Sequence, residues 1–491
     1  MALIYGDRVS RRLFPLSIED YVLENDPVRA YDAIIDAFNL NEMELEINEN
    51  KVGAPCYDPV AMLKLLVYGY SYGIQSSRKL ERAVHHNFSF IWLLGGLTPD
   101  HKTIANFRRN NKKLLKKVLY QCSHLCIDLG LIDGNVLFVD SSKFRANANI
   151  NQVWDEKRCR EVLKKLGRRI NELLSSCEEI DRQEDASGIG SYVEMKEELK
   201  RELKDKEKLR VKVEGMLKEF SENSELTKFN STDRDSVKVH GRQGTHAGYT
   251  AQVVTDEKSG LIVHSEVQSK SNDHNEFSNQ IKQAEEVLGK EAEAACGDGG
   301  YFQVDDLKEL YDRGTKVVVA SRKHSSHKGL GAFDKENFTY DAKTDEYICP
   351  ADHRLRFNRI VKKDNAREYI IRRKLDCLKC NHFGVCTTSK MGRRLQRKIN
   401  EDIKEELEKV YESESGASIY KLRKERAELP FGHIKRNLGC GYFLLRGREG
   451  VNAEMAILCT CFNISRMITL LGGVEVLKRK LMIKKRKIGR L

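Results

Sequence analysis

Residues 135–149 read NVLFVDSSKFRANAN, and this stretch decides the fold. Its apolar, β-branched run at 136–139 predicts a strand that is buried on both faces and ends at Asp140. A carboxylate in that position is costly, because a cation or hydrogen-bond donors must offset its desolvation. The SSK that follows can supply only part of that compensation. On its own, Asp140 would more often be a turn residue after a core strand.

A second carboxylate, Asp298, lies in EAACGDGGYF at residues 293–302. The two glycines after it allow a sharp turn and a close approach to the carboxylate, and residues 305–313 predict a helix. A lone Asp-Gly pair is also a common simple turn.

The third carboxylate, Glu428, lies in KERAELPFGHIKRNLG. Pro430 suits the first turn of a helix, and Lys435 can project toward the same end of that segment. Taken alone, Glu428 would be a helix N-terminal charge favoured by the helix dipole. Three carboxylates on separate elements, however, are what a pair of Mg²⁺ ions about 3.5–4 Å apart needs for phosphoryl displacement.

The three motifs VDSSKFRANAN, GDGGYF and ELPFGHIKRNLGCGYFLLRG resemble the DDE triad of bacterial insertion-sequence transposases with a ribonuclease-H-like catalytic domain. The resemblance implies that Asp140, Asp298 and Glu428 are the catalytic residues. It also implies that they bind Mg²⁺, with Mn²⁺ as a substitute.

The third motif also resembles the Y-R-E-K signature of one large group of these enzymes. Here the signature would be Tyr420, Arg423, Glu428 and Lys435, which the resemblance implies contact DNA near the scissile bond. Arg423 is one residue further from Glu428 than usual. Lys424 stands at the usual spacing, so either basic residue could take that part.

The composition is consistent with a DNA-binding protein of a reducing compartment. Lys and Arg number 85 and Asp and Glu 73, so the net charge is 85 − 73 = +12, which favours a polyanionic partner. The thirteen cysteines are scattered, as in a reducing cytosol, and MALIYGDRVSRRLF has no apolar stretch long enough for a signal peptide. We therefore expect a cytoplasmic protein, associated with the nucleoid when bound to DNA, with no membrane partner.

A chain of 491 residues is too long for one core. The predicted fold is an α/β catalytic core, ribonuclease-H-like with a mixed sheet flanked by helices, interrupted by two insertions. A hairpin at 248–268, a strand at 316–321 and an apolar helix at 454–471 belong to this core. The predicted parts are a helical DNA-binding or assembly domain at 1–130, the core at 131–152, 230–321 and 413–475, a helical insertion at 153–229, a basic Cys-containing insertion at 322–412 and a basic tail at 476–491.

The N-terminal part is predicted to be helical, with one basic helix that starts near Asp100 or Thr103. It would carry Arg108, Arg109 and Lys112 on an exposed face, while its apolar residues face inward. A solvated charged face and a DNA reader are equally compatible with the charges alone. The stretch YDPVAMLKLLVYGYSYGIQSSRKLE…TPDHKTIANFRRN also resembles the N-terminal domain common in these transposases, which favours DNA binding or protomer pairing.

The helical insertion repeats apolar residues by three and four from Leu163 to Ile180, and SGIGS interrupts the pattern before it resumes. This pattern predicts an antiparallel helical hairpin. Dimerisation, DNA clamping and a solvated spacer are all open roles for it.

The second insertion contains four thiols, Cys349, Cys377, Cys380 and Cys386, of which two form a C-x-x-C pair. They could bind a structural Zn²⁺, with His353 and His382 as alternative ligands, or remain free. The basic residues just beyond, at 393–398, could follow a phosphate backbone in either case.

These features predict a transposase that binds double-stranded DNA, both transposon ends and target, as a homodimer or larger assembly. It would cleave the ends and join them to the target. The alternatives are a nuclease of the same fold that cuts without joining and a catalytically idle DNA-binding relative.

Overall fold

The computed structural model describes residues 17–43, 56–187, 193–223, 227–241, 244–325 and 331–488. In chain order the strands are β1 Val136–Arg145, β2 Val153–Asp155, β3 Lys228–Asn230, β4 Val237–Gly241, β5 Gly244–Asp256, β6 Ile262–Gln268, β7 Ala294–Gly297, β8 Lys316–Val319, β9 Thr339–Asp341, β10 Glu346–Ile348, β11 Arg354–Val361, β12 Ala366–Ile371 and β13 Arg394–Lys398.

The helices that precede β13 are α1 Pro27–Ile35, α2 Pro59–Ser71, α3 Ser77–His86, α4 Phe88–Leu93, α5 His101–Asn110, α6 Lys112–Asp128, α7 Glu156–Ser187, α8 Val193–Glu222, α9 Phe277–Leu288, α10 Val304–Asp312, α11 Arg322–Ser325 and α12 Lys374–Leu378. After it come α13 Glu401–Glu412, α14 Glu414–Arg426, α15 Glu428–Gly432, α16 Gly447–Leu471 and α17 Val474–Ile488. A π-helical turn, His433–Asn437, follows α15 directly.

The core is a mixed sheet in the order β4–β5–β1–β7–β8. Strand β5 pairs antiparallel with β1 on one side, and on its other side with β4 along its first half and β6 along its second. Strands β1, β7 and β8 are mutually parallel neighbours. The predicted mixed sheet with flanking helices and the predicted helical N-terminal region are both confirmed.

Strand β1 is longer than predicted, because it does not end at Asp140 but continues to Arg145. Antiparallel pairing with β5 supplies its partner throughout, from Leu137 to Arg145. Its parallel neighbour β7 pairs only as far as Phe138. Asp140 therefore lies just beyond the point where one side of β1 loses its partner strand.

Both faces of this sheet are covered, as the apolar run at 136–139 predicts. Leu137 and Val139 pack into the large core that contains α6, α9 and α16. Phe138 packs on the opposite face with Ala427 and with side chains of α13 and α14. Because side chains alternate along a strand, Asp140 shares the face of Phe138 and points toward α14.

The basic helix predicted from about residue 100 is two helices, α5 and α6, that meet at Asn111. Its backbone there (φ −108°, ψ 35°) leaves the helical region, so the two helices diverge. Leu115 and Val118 of α6 are buried as predicted, and α6 packs against α16 and β6.

Helix α16 is the buried centre of the molecule, in contact with α2, α6 and β6. Within the described ranges it is the one helix long and apolar enough to cross a membrane, a test that the core helix of a globular domain also passes. Its Glu454 is buried: the Tyr70 hydroxyl donates to Glu454 Oε1 (2.5 Å), and the backbone amides of Leu444 and Leu445 donate to Oε2 (2.8 and 2.9 Å). Arg108 Nη1 completes this network by donating to the Tyr70 hydroxyl at 3.2 Å.

The helical insertion consists of α7 and α8, which pack side by side. Cys159 near the start of α7 shares a small core with Phe220 near the end of α8, so the two helices run antiparallel. The short strands β2, before α7, and β3, after α8, pair with each other at this end of the hairpin. Further along, Arg169 on α7 contacts Glu202 on α8 at 3.1 Å.

The second insertion forms an antiparallel five-stranded sheet in the order β13–β12–β11–β10–β9. Its own core comprises six buried residues: Phe338, Tyr347, Leu355, Tyr369, Ile371 and Leu395.

Candidate active site

Asp140 is the most perturbed carboxyl of the site. Its pKa is raised to about 7, chiefly by burial and to a lesser extent by the nearby charges of Asp298 and Glu428. A hydrogen bond from the Ser141 amide and the charge of Arg423 act in the opposite direction. Without a cation the desolvation of this half-buried carboxylate is therefore not fully offset, and a bound metal would offset it.

Asp298 directly follows β7, the parallel neighbour of β1, and the register that pairs Phe138 with Cys296 brings it level with Asp140. Its Oδ1 accepts the Gly300 amide at 2.9 Å, which begins the tight turn predicted from the two glycines. A Cβ at Gly300 would lie 3.0 Å from Asp298 Oδ1, so the position leaves little room for a side chain. Burial also raises the pKa of Asp298, while Gly300 and Arg423 lower it.

Arg423 lies among all three carboxylates. Its Nη2 donates to Glu428 Oε1 at 2.9 Å, and its side chain is 14% exposed against 50% for Glu428. Burial acts to lower the pKa of Arg423, but the charges of Asp140, Glu428 and Asp298 outweigh it, and the pKa is raised. Lys424 is exposed, so Arg423 is the basic residue that faces the acids.

The kink between α14 and α15 places Glu428 over the sheet. Pro430 has no amide hydrogen, so the Arg426 carbonyl loses its helical partner four residues on. The Thr255 hydroxyl of β5 donates to that carbonyl instead, at 3.1 Å. The proline predicted to begin a helix thus also ties the third motif to the central sheet.

Lys435 lies in the π-helical turn and binds β1 directly. Its Nζ donates to Ser142 Oγ (2.5 Å) and to the Lys143 carbonyl (2.7 Å), and it lies 4.6 Å from the centre of the Phe144 ring. Tyr420 lies further back, in edge contact with Tyr411 (4.9 Å). Of the four predicted signature residues, Arg423 and Glu428 therefore lie close enough to act on the charges of Asp140 and Asp298, while Lys435 contacts the strand of Asp140 and Tyr420 lies behind Arg423.

Sequence analysis did not identify one acidic residue of this region, Asp273. It lies between β6 and α9, where Gln252 Nε2 donates to its Oδ1 at 2.9 Å and Lys143 Nζ lies at 3.8 Å. The Tyr301 hydroxyl donates to the same Gln252. Burial lowers the pKa of Lys143, and the charges of Asp273 and Asp298 oppose that shift. A single Asp in SNDHNEF has no sequence signal that distinguishes it from a loop residue.

We expect Asp273→Asn to lower the rate of DNA cleavage about 10- to 100-fold. This is the range for residues that orient a metal ligand or catalytic group through a hydrogen bond or ion pair. The change removes the charge beside Lys143 and leaves Asp140 and Asp298 in place. Cleavage rates of Asp273→Asn and of the exposed Asp312→Asn, at equal melting temperature, would check this. Equal rates would mean that the Asp273 contacts are only structural.

The residues present fit a divalent metal, although in the described residues no three His, Cys, Asp or Glu side chains are arranged as a preformed ion site. Asp140 and Asp298 offer carboxylate oxygens, the kind of ligand that Mg²⁺ prefers, and burial raises the pKa of both, as expected of carboxylates without a nearby cation to offset their desolvation. Glu428 is held by Arg423 and would have to exchange that partner to join them.

The predicted DNA-binding residues of the N-terminal part are only partly exposed. Arg108 was predicted on the exposed face, but it is 6% exposed and donates to the Gln75 carbonyl at 2.7 Å, because it belongs to the buried network of Glu454. This placement contradicts a direct role for Arg108 in DNA contact. Arg109 is exposed, and Lys112 lies 3.8 Å from Glu449.

In the second insertion, two of the predicted phosphate-contacting residues are held inward. Arg393 donates to the Cys386 and Phe333 carbonyls at 2.9 and 2.8 Å, and Arg397 binds Glu405 at 2.6 Å. Cys349, Cys377, Cys380 and Cys386 line one cavity with His353 and His382.

Two parts of this chain match models of transposase domain families. Residues 16–110 match the family described as "Transposase domain (DUF772)", and residues 348–468 match the family described as "Transposase DDE domain". The second match includes Arg423, Glu428 and Lys435. No curated protein matches the chain.

Among solved structures, the chain is similar to the piggyBac transposase in its synaptic complex with hairpin DNA. The TM-score is 0.35 at 11% identity, and the match covers 93% of this chain and 79% of that one. So low a score adds nothing to the family matches.

Proposed function

We propose that this chain, which carries a transposase DDE domain, is the transposase of a bacterial insertion sequence. It would bind the ends of its element, cleave them and join them to target DNA. The observation that supports this most is the convergence of Asp140 and Asp298, from adjacent parallel strands, with Arg423 and Glu428 of the third motif. The sheet order β6–β5–β1–β7–β8, with antiparallel pairs on one side and parallel pairs on the other, supports a ribonuclease-H-like core.

In this proposal Asp140 and Asp298 would hold Mg²⁺, and Glu428 would complete the ligand set. When bound, the metal polarises the phosphoryl oxygens and lowers the pKa of an attacking water. Arg423 and Lys435 bring positive charge to the mouth of the site, where they would orient the scissile phosphate. Hydrolysis of an end and its joining to target are both in-line displacements at phosphorus, so one set of residues can serve both.

The proposed DNA contacts of the N-terminal part are Arg109 and Lys112. We expect the double variant Arg109→Ala/Lys112→Ala to weaken binding of duplex DNA and to make its salt dependence shallower by about one unit of slope per residue. Titrations at several salt concentrations would measure this. The variant Lys409→Ala, which removes an exposed lysine of α13, is the control, and an unchanged slope in the double variant would contradict this assignment.

The proposed function is tested by incubating the full chain with duplexes that carry the flanking ends of its element and with a supercoiled target, in Mg²⁺ or Mn²⁺. Joined products, mapped by sequencing, would support a transposase. Cut ends without joined products would favour the nuclease. End binding without cutting would favour the DNA-binding relative, in which case removing any of the three carboxylates would leave its effect in cells unchanged.

A further inference from the structure

The small sheet β9–β13 is short of apolar packing. Its core has six buried residues, and three of the four thiols, Cys349, Cys377 and Cys386, pack against that core. Much of its surface is tied by arginines to single acids, as where Arg354 and Arg356 bind Glu346 at 2.9 and 2.6 Å. Ion pairs whose arginines are about half exposed contribute little stability, so a unit of this size usually needs a disulfide or a metal.

The four thiols lie on three segments of the chain but line the same cavity. Cys349 follows β10, Cys377 lies on α12, and Cys380 and Cys386 lie in the loop beyond it. All four are free, and together they line a cavity of about 20 Å³, the space of a single ion or water molecule.

Three of these sulfurs accept backbone amides. His353 N donates to Cys349 Sγ at 3.3 Å, Arg393 N to Cys377 Sγ at 3.4 Å and His382 N to Cys380 Sγ at 3.5 Å. Amide donors of this kind favour the thiolate over the thiol.

We propose that Cys349, Cys377, Cys380 and Cys386 bind one structural zinc ion. Four sulfur ligands without an open position are typical of a closed Zn²⁺ site, and binding releases the thiol protons with no redox step. Because in the described residues no three such side chains are arranged as a preformed ion site, the thiols must turn toward the metal on binding. This inference is independent of the proposed transposase activity.

The test measures the metal content of the full chain, purified under reducing conditions, by mass spectrometry. We expect one zinc ion per chain in the wild type and in Cys177→Ser, a control on α7, and loss of zinc from Cys377→Ser. Zinc-free wild type, or zinc retained by Cys377→Ser at the wild-type level, would overturn the proposal.

Because Cys377→Ser could fail to fold, the wild type is also examined alone. Replacement of its zinc by Co²⁺ should give the thiolate-to-cobalt charge-transfer absorption and the intense visible bands of a tetrahedral sulfur site. Cobalt spectra without charge-transfer absorption, or four thiols that react at once with a thiol reagent before any chelator is added, would show that the cysteines are free.

Discussion

The variant Asp298→Ala is expected to lose cleavage and joining of transposon ends by about 1,000-fold or more, as when one member of a catalytic group is removed. Asp298 directly follows β7, the strand that pairs with the strand of Asp140, so its loss leaves one half-buried acid to hold the metal. The fold should persist, because burial of Asp298 raises its pKa and the charged form is therefore not a source of stability.

The measurement is single-turnover cleavage of end duplexes with Mg²⁺, beside end binding and melting temperature for each protein. Asp312→Ala, which removes an exposed acid of α10, is the matched control. A cleavage rate within a few-fold of wild type in Asp298→Ala would remove Asp298 from the site. Parallel losses of cleavage, binding and melting temperature would instead indicate a folding defect.

The variant Glu454→Leu is expected to reduce the free energy of unfolding by about 3–5 kcal/mol, the cost of removing one member of a buried polar group. Leucine would leave the Tyr70 hydroxyl and the Leu444 and Leu445 amides without their acceptor, and Arg108 without its counter-charge.

Glu454→Gln is the matched variant, because an amide can accept the two backbone hydrogen bonds and bond to Tyr70. Because glutamine keeps the shape of the side chain and these hydrogen bonds, it should cost much less than leucine. Chemical denaturation of both variants measures the difference. Equal stability of Glu454→Leu and wild type would show that Arg108 is satisfied without the acid.

The sequence was most informative where local pattern and chemistry agree. The apolar run before Asp140 predicts a doubly covered strand, and the glycines after Asp298 predict the turn that holds it. Both features depend on neighbours within a few residues. The hairpin of β5 and β6 and the strand β8 were predicted on the same basis.

Features set by distant partners were not predicted. Strand β1 continues past Asp140 because β5 pairs with it. The residues SSKFR at 141–145 have no local pattern that predicts this pairing. In the sequence, Arg108 cannot be distinguished from the exposed basic residues near it. It is buried because it hydrogen-bonds to Tyr70, which in turn hydrogen-bonds to Glu454, and neither partner is close to it in the sequence. Asp273 becomes notable only because folding brings it to Lys143.

The contacts that β1 makes with the C-terminal part of the chain have a consequence for biosynthesis. Beyond Asp140 the open edge of β1 receives Lys435, which binds Ser142 across 293 residues of chain, and the Phe443 amide, which donates to the Arg145 carbonyl. Helix α16, which buries Glu454 against Tyr70, is made later still. Contacts so distant in sequence form slowly, and during synthesis they must wait for the last part of the chain. A chain released early would therefore contain both aspartates but lack the segments that complete their surroundings.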